Sequence, residues 1–102
     1  IGDRVAGFSE NAGAFSEFLS LPSSSATKLD DEISLQEGAA YYVQATTAFH
    51  LLHTIGKVKA DDIVLIHAIG GGVGLNLTQL AKHHGAKVIG TVGTGGKDRR
   101  PL

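Results

Sequence analysis

A cluster of glycines in the second half of the chain has the residue types and spacing that bind phosphate groups. Gly70, Gly71, Gly72 and Gly74 follow directly after the unbroken apolar run 63–68. Because glycine has no Cβ, the chain can turn tightly there, and a pyrophosphate can approach the backbone N–H groups at the positive end of the next helix. The chemistry that this pattern predicts is the binding of a dinucleotide.

One position departs from the usual dinucleotide-binding pattern. In the G-x-G-x-x-G frame that ends at Gly74, Ile69 stands where the first glycine belongs. A glycine-rich turn that binds no nucleotide is therefore an alternative. The context favours a nucleotide site, because the motif requires a strand before it, a helix after it and a second strand beyond that helix.

All three elements are predicted around the glycines. The run 63–68 is apolar throughout, which is typical of a central parallel strand covered on both faces. A helix follows and ends at Gly85 as a left-handed C′ residue, and a second strand lies within 86–93. The fold class is therefore α/β, the start of a Rossmann-type doubly wound parallel sheet. The predicted inner face of the helix consists of Val73, Leu77, Leu80, Ala81 and His84.

Upstream of this unit the patterns are more varied. Residues 14–21 alternate like a strand and end at Pro22, and residues 23–29 are predicted to be a linker that contains at most one helical turn. Ser34 and Glu37 have the spacing of a capping box, which predicts a helix that runs on to Ile55.

The residues after the second strand bear on the choice of cofactor. An NAD site usually has Asp or Glu roughly twenty residues after the glycines, but no carboxylate occurs here before Asp98. Lys97, Arg99 and Arg100 stand there instead, and cations suit a 2′-phosphate. NADPH is therefore favoured over NADH, with a solvated basic loop as the alternative.

Composition excludes several classes of protein. The 102 residues include no cysteine, which excludes disulfides, cysteine-ligated zinc and cysteine nucleophiles. There is no apolar run of membrane-spanning length and no basic face studded with aromatic residues, so neither a membrane protein nor a nucleic-acid-binding protein is predicted. The histidines lack carboxylate or thiolate partners at ligand spacing, so no metal site is predicted. His67 ends the central strand and is expected to be a packed, hydrogen-bonded strand residue, with a position near the cofactor as the alternative.

Six segments of the chain carry a resemblance to a known family. They are G-D-R-V at 2–5, G-A-F-S-E-F at 13–18, V-Q-A-T-T-A at 43–48, V-L-I-H-A-I-G-G-G-V-G-L at 64–75, Q-L-A-K at 79–82 and K-V-I-G-T-V-G-T at 87–94. Together they resemble the quinone oxidoreductases, the zeta-crystallin-like, zinc-independent branch of the medium-chain dehydrogenases/reductases. In that family the position of Ile69 usually holds a small residue, and the position of Tyr42 usually holds proline.

The resemblance implies a cytoplasmic homodimeric enzyme that transfers hydride from NADPH to a quinone or a similar small electrophilic acceptor. It implies that residues 1–33 are the C-terminal part of a GroES-like substrate domain and that residues 34–102 are the first part of the Rossmann domain. Family members are much longer, so the chain is expected to be a central fragment that is inactive by itself. Residues that orient the acceptor would lie mostly outside it, and no catalytic residue is assigned.

The resemblance also assigns cofactor-binding residues. Gly71, Gly72 and Val73 would line the pyrophosphate, and Thr47 would approach the nicotinamide end. The adenosine 2′-phosphate end would be held by Gly93 and Lys97.

Two other functions remain open for such a chain. One is the reduction of enoyl groups or other activated alkenes, as in the reductase modules of polyketide and fatty-acid synthesis, which share these motifs. The other is a structural or RNA-binding relative of zeta-crystallin that keeps NADPH binding without turnover. Hydride transfer to an acceptor would separate the enzymes from this last class.

Overall fold

A computed structural model of the protein describes residues 1–93 and divides the chain into two compact units. The first unit is Ile1–Val43, and the second begins at Gln44. In chain order the described elements are β1 (Val5–Gly7), a 3-10 turn (Ser23–Ser25), β2 (Ala26–Lys28), α1 (Leu35–Phe49), a π-helical segment (His50–Ile55), β3 (Ile63–Ile66), α2 (Gly72–His83) and β4 (Lys87–Gly90).

The first unit is built on a short antiparallel ribbon of β1 and β2. Val5 pairs with Lys28, and the guanidinium of Arg4 donates hydrogen bonds to the carbonyl oxygens of Asp31 and Ile33. An ion pair joins Asp3 to Lys28 at 3.1 Å, but both side chains are exposed, so it contributes little to stability.

One prediction for this unit is wrong, because residues 14–21 contain no strand. The helical turn predicted within the linker 23–29 is present as the 3-10 turn Ser23–Ser25, and the strand β2 that follows it was not predicted. The alternation in 14–21 does not correspond to a buried face, because Phe15 and Phe18 are both exposed. The chain bends there, and the Ser16 hydroxyl bonds to the carbonyl oxygens of Gly13 and Phe18. A strand requires a partner for its backbone groups, and this segment pairs with no described residue.

The predicted capping box at the start of α1 is confirmed. The Glu37 N–H donates to Ser34 Oγ at 3.1 Å, and the Glu37 carboxylate accepts from the Ser34 N–H at 2.9 Å and from its hydroxyl at 2.6 Å. The hydroxyl and N–H of Ser34 lower the pKa of Glu37, because they stabilise the ionised carboxylate. Both side chains therefore hold the helix start in place.

The helical run continues to Ile55, as predicted, but its last part is wound as a π-helix. The N–H of Gly56 bonds to the Leu51 carbonyl oxygen at 2.9 Å, which closes the wider five-residue ring of that helix type. Tyr41 and Tyr42 lie within α1 and do not interrupt it.

The second unit contains a parallel β3–α2–β4 arrangement, so the predicted α/β class is confirmed. Ile63 pairs with Lys87 and Ile66 with Gly90 in a parallel register. Gly85 has φ +85° and ends α2, also as predicted. Below α2 the core consists of Leu52, Ala81 and Ala86, with Val58, Val64, Leu77, Leu80 and Val88 packed against it.

The pattern of burial differs from the sequence prediction at three places. His84 is exposed at the end of α2. Thr78 is buried, and its hydroxyl is satisfied by a hydrogen bond to the Gly74 carbonyl oxygen at 2.8 Å. The apolar run 63–68 is shorter as a strand, and its second face, with Ile63 and Leu65, is exposed in the described structure. Only one face of β3 is therefore covered in the described structure.

Candidate dinucleotide-binding site

The turn between β3 and α2 is closed by the backbone. The N–H of Gly71 bonds to the Ala68 carbonyl oxygen at 2.8 Å, and Ala68 has φ +52° in the left-handed region. An alanine, and not one of the glycines, therefore adopts the unfavourable backbone conformation of this turn. The glycines must serve another purpose.

Close packing explains Gly74. A Cβ on Gly74 would lie 2.6 Å from the Ala68 carbonyl oxygen and 2.7 Å from that of Ile69. Both atoms belong to the backbone and have little freedom to move. Glycine at this position therefore lets the first turn of α2 approach the end of β3, which brings the helix start to the carboxyl edge of the sheet.

The bulky Ile69 of the glycine motif is accommodated by a second glycine on the neighbouring strand. Ile69 is only 8% exposed, and a Cβ on Gly90 would lie 2.6 Å from its Cγ2 atom. The Ile69 N–H bonds to the Thr91 carbonyl oxygen at 3.1 Å, and the Thr91 N–H bonds to that of Ile66 at 3.0 Å. The isoleucine is thus a packed residue that occupies the space above β4.

The start of α2 is suited to an anion. Gly71 is the N-cap and makes no side-chain capping hydrogen bond, and the first turn holds no acidic residue. No acceptor among residues 1–93 receives the N–H of Gly72 or Val73. The Asn76 amide instead donates to the Gly72 carbonyl oxygen at 2.8 Å and so braces this turn. Unpaired N–H groups at the positive end of a helix dipole attract a phosphate.

The other predicted cofactor residues are placed as follows. Thr47 is exposed on α1, and Gly93 is exposed beyond β4 with open space where a Cβ would be. Lys97 lies outside the described residues. The structure thus groups Gly71, Gly72 and Val73 at the start of α2, and the roles of all six residues remain predictions.

Sequence analysis missed one polar side chain near the site, that of Gln44, and predicted the burial of a second, that of His67, wrongly. The Gln44 amide lies against Gly72, where it would contact an added Cβ. His67 is exposed and not packed, and its Nδ1 is 3.1 Å from Thr91 Oγ1, which joins the carboxyl ends of β3 and β4. The position of His67 directly after the strand was a usable signal, but Gln44 gave none.

Within residues 1–93 no group of three or more His, Asp or Glu side chains could hold a metal ion. The ring of His53 contacts those of Phe49 and His84, with centroid separations of 4.7 and 5.0 Å. The same residues include no helix that is long and apolar enough to cross a membrane.

The chain is similar to known proteins in both sequence and structure. No family model matches the sequence. The quinone oxidoreductase of Salmonella typhimurium is 42% identical over all 102 residues. A crystal structure of a quinone oxidoreductase from Pseudomonas syringae pv. tomato matches 99% of the chain with a TM-score of 0.91 and 40% identity. The chain is homologous to the quinone oxidoreductases. The predicted resemblance is thereby confirmed.

The homology covers the whole chain but only part of each quinone oxidoreductase. The chain spans 31% of the length of the Salmonella protein and 31% of the Pseudomonas structure. A structure of Escherichia coli quinone oxidoreductase complexed with NADPH matches 78% of the chain and is itself covered to 24%, with a TM-score of 0.73 and 41% identity. A fungal highly reducing polyketide synthase, phiA, is 34% identical over 99 residues, which are 4% of its length.

Proposed function

We propose that this chain forms the pyrophosphate-binding part of an NADPH site in an oxidoreductase that transfers hydride to a quinone or a similar electrophilic acceptor. The observation that carries the proposal is the start of α2, where Gly72 and Val73 have N–H groups without an acceptor among the described residues and no acidic side chain is present in the first turn. Homology to a quinone oxidoreductase that was crystallised with NADPH supports the identity of the ligand.

The cofactor has two further ends for which the chain supplies residues. Thr47 would approach the nicotinamide end, while Gly93 and Lys97 would bind the adenosine 2′-phosphate. A lysine ammonium attracts a phosphate, whereas a carboxylate at this position would repel it. The absence of any Asp or Glu between Asp62 and Asp98 supports NADPH over NADH.

The residues of this chain act by binding and orientation. Bound NADPH would supply the hydride, and a rigid glycine turn would hold its phosphates so that the nicotinamide meets the acceptor in a fixed geometry. No proton transfer is assigned to these residues. This chain by itself spans 31% of the length of the Salmonella quinone oxidoreductase and is expected to transfer no hydride.

Other features of the larger protein are proposals of the same kind. They comprise a GroES-like domain whose last part is residues 1–33, a Rossmann domain that begins with residues 34–102, a homodimer, zinc-independent chemistry and a cytoplasmic location. Homology to the quinone oxidoreductases supports the two domains and the homodimer.

Fluorescence titration with NADPH and NADH tests the proposed cofactor. The protein is expected to bind NADPH more tightly than NADH, and Lys97→Ala should weaken NADPH binding while leaving NADH binding unchanged. Lys82→Ala is the matched control, because Lys82 lies at the opposite end of α2, about 15 Å from its first residue. Equal binding of both nucleotides would refute the NADPH preference, and binding of neither would refute the site.

A second candidate acceptor is an enoyl group or another activated alkene. The similarity to the polyketide synthase phiA favours it, because that match covers nearly the whole chain. Steady-state assays of the full enzyme with a quinone and with an enoyl thioester would separate the two acceptors. A higher kcat/KM for the enoyl thioester would make this second function the correct one.

A further inference from the structure

The side chain of Gln44 lies directly over the first residue of α2. A Cβ placed on Gly72 would come within 2.6 Å of Gln44 Nε2, and the Oε1 and Cδ atoms would be closer still. The carboxamide therefore occupies the space that the missing side chain of Gly72 leaves free. Gly72 does not adopt a left-handed backbone conformation, and the end of an exposed glutamine side chain can move, so this contact shows where the Gln44 amide lies.

The surroundings of this amide define what it can bind. It lies against Gly72, whose N–H, like that of Val73, has no acceptor among the described residues, and the first turn of α2 contains no charged side chain. Gln44 is exposed, so its carboxamide can turn and present Nε2 outward. The amide carries two N–H donors, which match the oxygens of a phosphate.

We propose that Gln44 is a binding residue for the dinucleotide and donates a hydrogen bond from Nε2 to a pyrophosphate oxygen at the start of α2. This inference rests on the proposed function, because it needs a dinucleotide at that helix end. The bound pyrophosphate is then held from two directions, by the backbone of α2 and by a side chain of α1.

The position of Gln44 on α1 also fits the expected course of the cofactor. Thr47 lies three residues further along the same helix, so the two side chains project from one face. Gln44 at the pyrophosphate and Thr47 at the nicotinamide end would follow the cofactor along α1. A single helix face would thus contact two successive parts of the dinucleotide.

Charge substitutions at position 44 test the proposal with almost no change in size. Gln44→Glu places a carboxylate beside the pyrophosphate and removes both donors, so the Kd for NADPH should rise about tenfold or more. Gln44→Lys keeps a donor and adds a positive charge, so the Kd should stay constant or fall. Gln36→Glu is the matched control, because Gln36 is exposed in the first turn of α1, about 12 Å along the helix from Gln44.

The choice of nucleotide separates this residue from Lys97. Both NADPH and NADH contain the pyrophosphate, so Gln44→Glu should weaken both by the same factor, whereas Lys97→Ala should weaken NADPH alone. The penalty of Gln44→Glu should also become smaller as ionic strength rises, because salt screens the repulsion between the carboxylate and the pyrophosphate. Circular dichroism of each variant checks that the helices are retained.

The possible results lead to distinct conclusions. If the wild-type protein binds both nucleotides and Gln44→Glu binds them as the Gln36→Glu control does, the role of Gln44 is wrong and the proposed function stands. If the wild-type protein binds neither nucleotide, the role of Gln44 and the proposed function are both wrong. If Gln44→Glu does not fold, Gln44→Ala decides, and an unchanged Kd for that variant overturns the proposal.

Discussion

Alanine in place of Gly90 should destabilise the protein by about 1–3 kcal/mol, which is the usual cost of overpacking a filled site. The new methyl group would lie 2.6 Å from Cγ2 and 2.7 Å from Cβ of Ile69, well inside ordinary contact distance. Ile69 is only 8% exposed and its backbone is bonded to Thr91, so it has little room to move away. Gly93→Ala is the control, because a Cβ there meets no atom within 4 Å.

A double-mutant cycle shows whether Ile69 is the cause. Ile69→Ala removes Cγ2 and Cδ1 and leaves Cβ as the one remaining close atom of this side chain, so Gly90→Ala should cost at least about 1 kcal/mol less in that background. Urea unfolding followed by circular dichroism gives the free energy of unfolding for the four proteins. Effects that add to within about 0.5 kcal/mol would refute the packing of Ile69 over Gly90.

Further predictions concern local backbone and capping. Ala68→Gly should raise the free energy of unfolding by about 1 kcal/mol, because glycine adopts φ +52° without strain. Ala39→Gly within α1 is the control and should lower the free energy of unfolding by a similar amount. Urea unfolding measures both variants, and a destabilised Ala68→Gly would contradict the turn geometry. Since Ser34 lowers the pKa of Glu37, the stabilisation from this carboxylate is present above its ordinary pKa of 4.5 and is lost as the pH falls through the lowered value. In Ser34→Ala the Glu37 pKa should return towards 4.5 in an NMR titration, and an unchanged pKa would show that the capping box is not its cause.

Features that depend on neighbouring residues were predictable from the sequence. The capping box of Ser34 and Glu37 and the left-handed Gly85 each follow from side-chain chemistry or backbone freedom within one turn of helix. The order of strand, glycine turn, helix and strand likewise restricts the chain to a parallel βαβ unit, and the structure confirms it.

Features that depend on distant residues were not predictable. The alternating residues 14–21 lack a pairing partner in the described structure, and alternation alone does not reveal that. Ile69 departs from the glycine motif, and the space for its side chain comes from Gly90, twenty-one residues later in the sequence. The contact of Gln44 with Gly72 joins residues from two helices, and no local pattern around Gln44 indicates it.

A dinucleotide that binds at the start of α2 must change the surroundings of the backbone amides of that turn, so their NMR signals test the site most directly. In two-dimensional ¹H–¹⁵N NMR spectra, addition of NADPH should shift the amide signals of Gly72 and Val73 and leave those of β1, Val5–Gly7, in place. Gln44→Glu should reduce these shifts at the same NADPH concentration. Unchanged Gly72 and Val73 signals at millimolar NADPH, or shifts confined to β1, would contradict the binding of a dinucleotide at the start of α2.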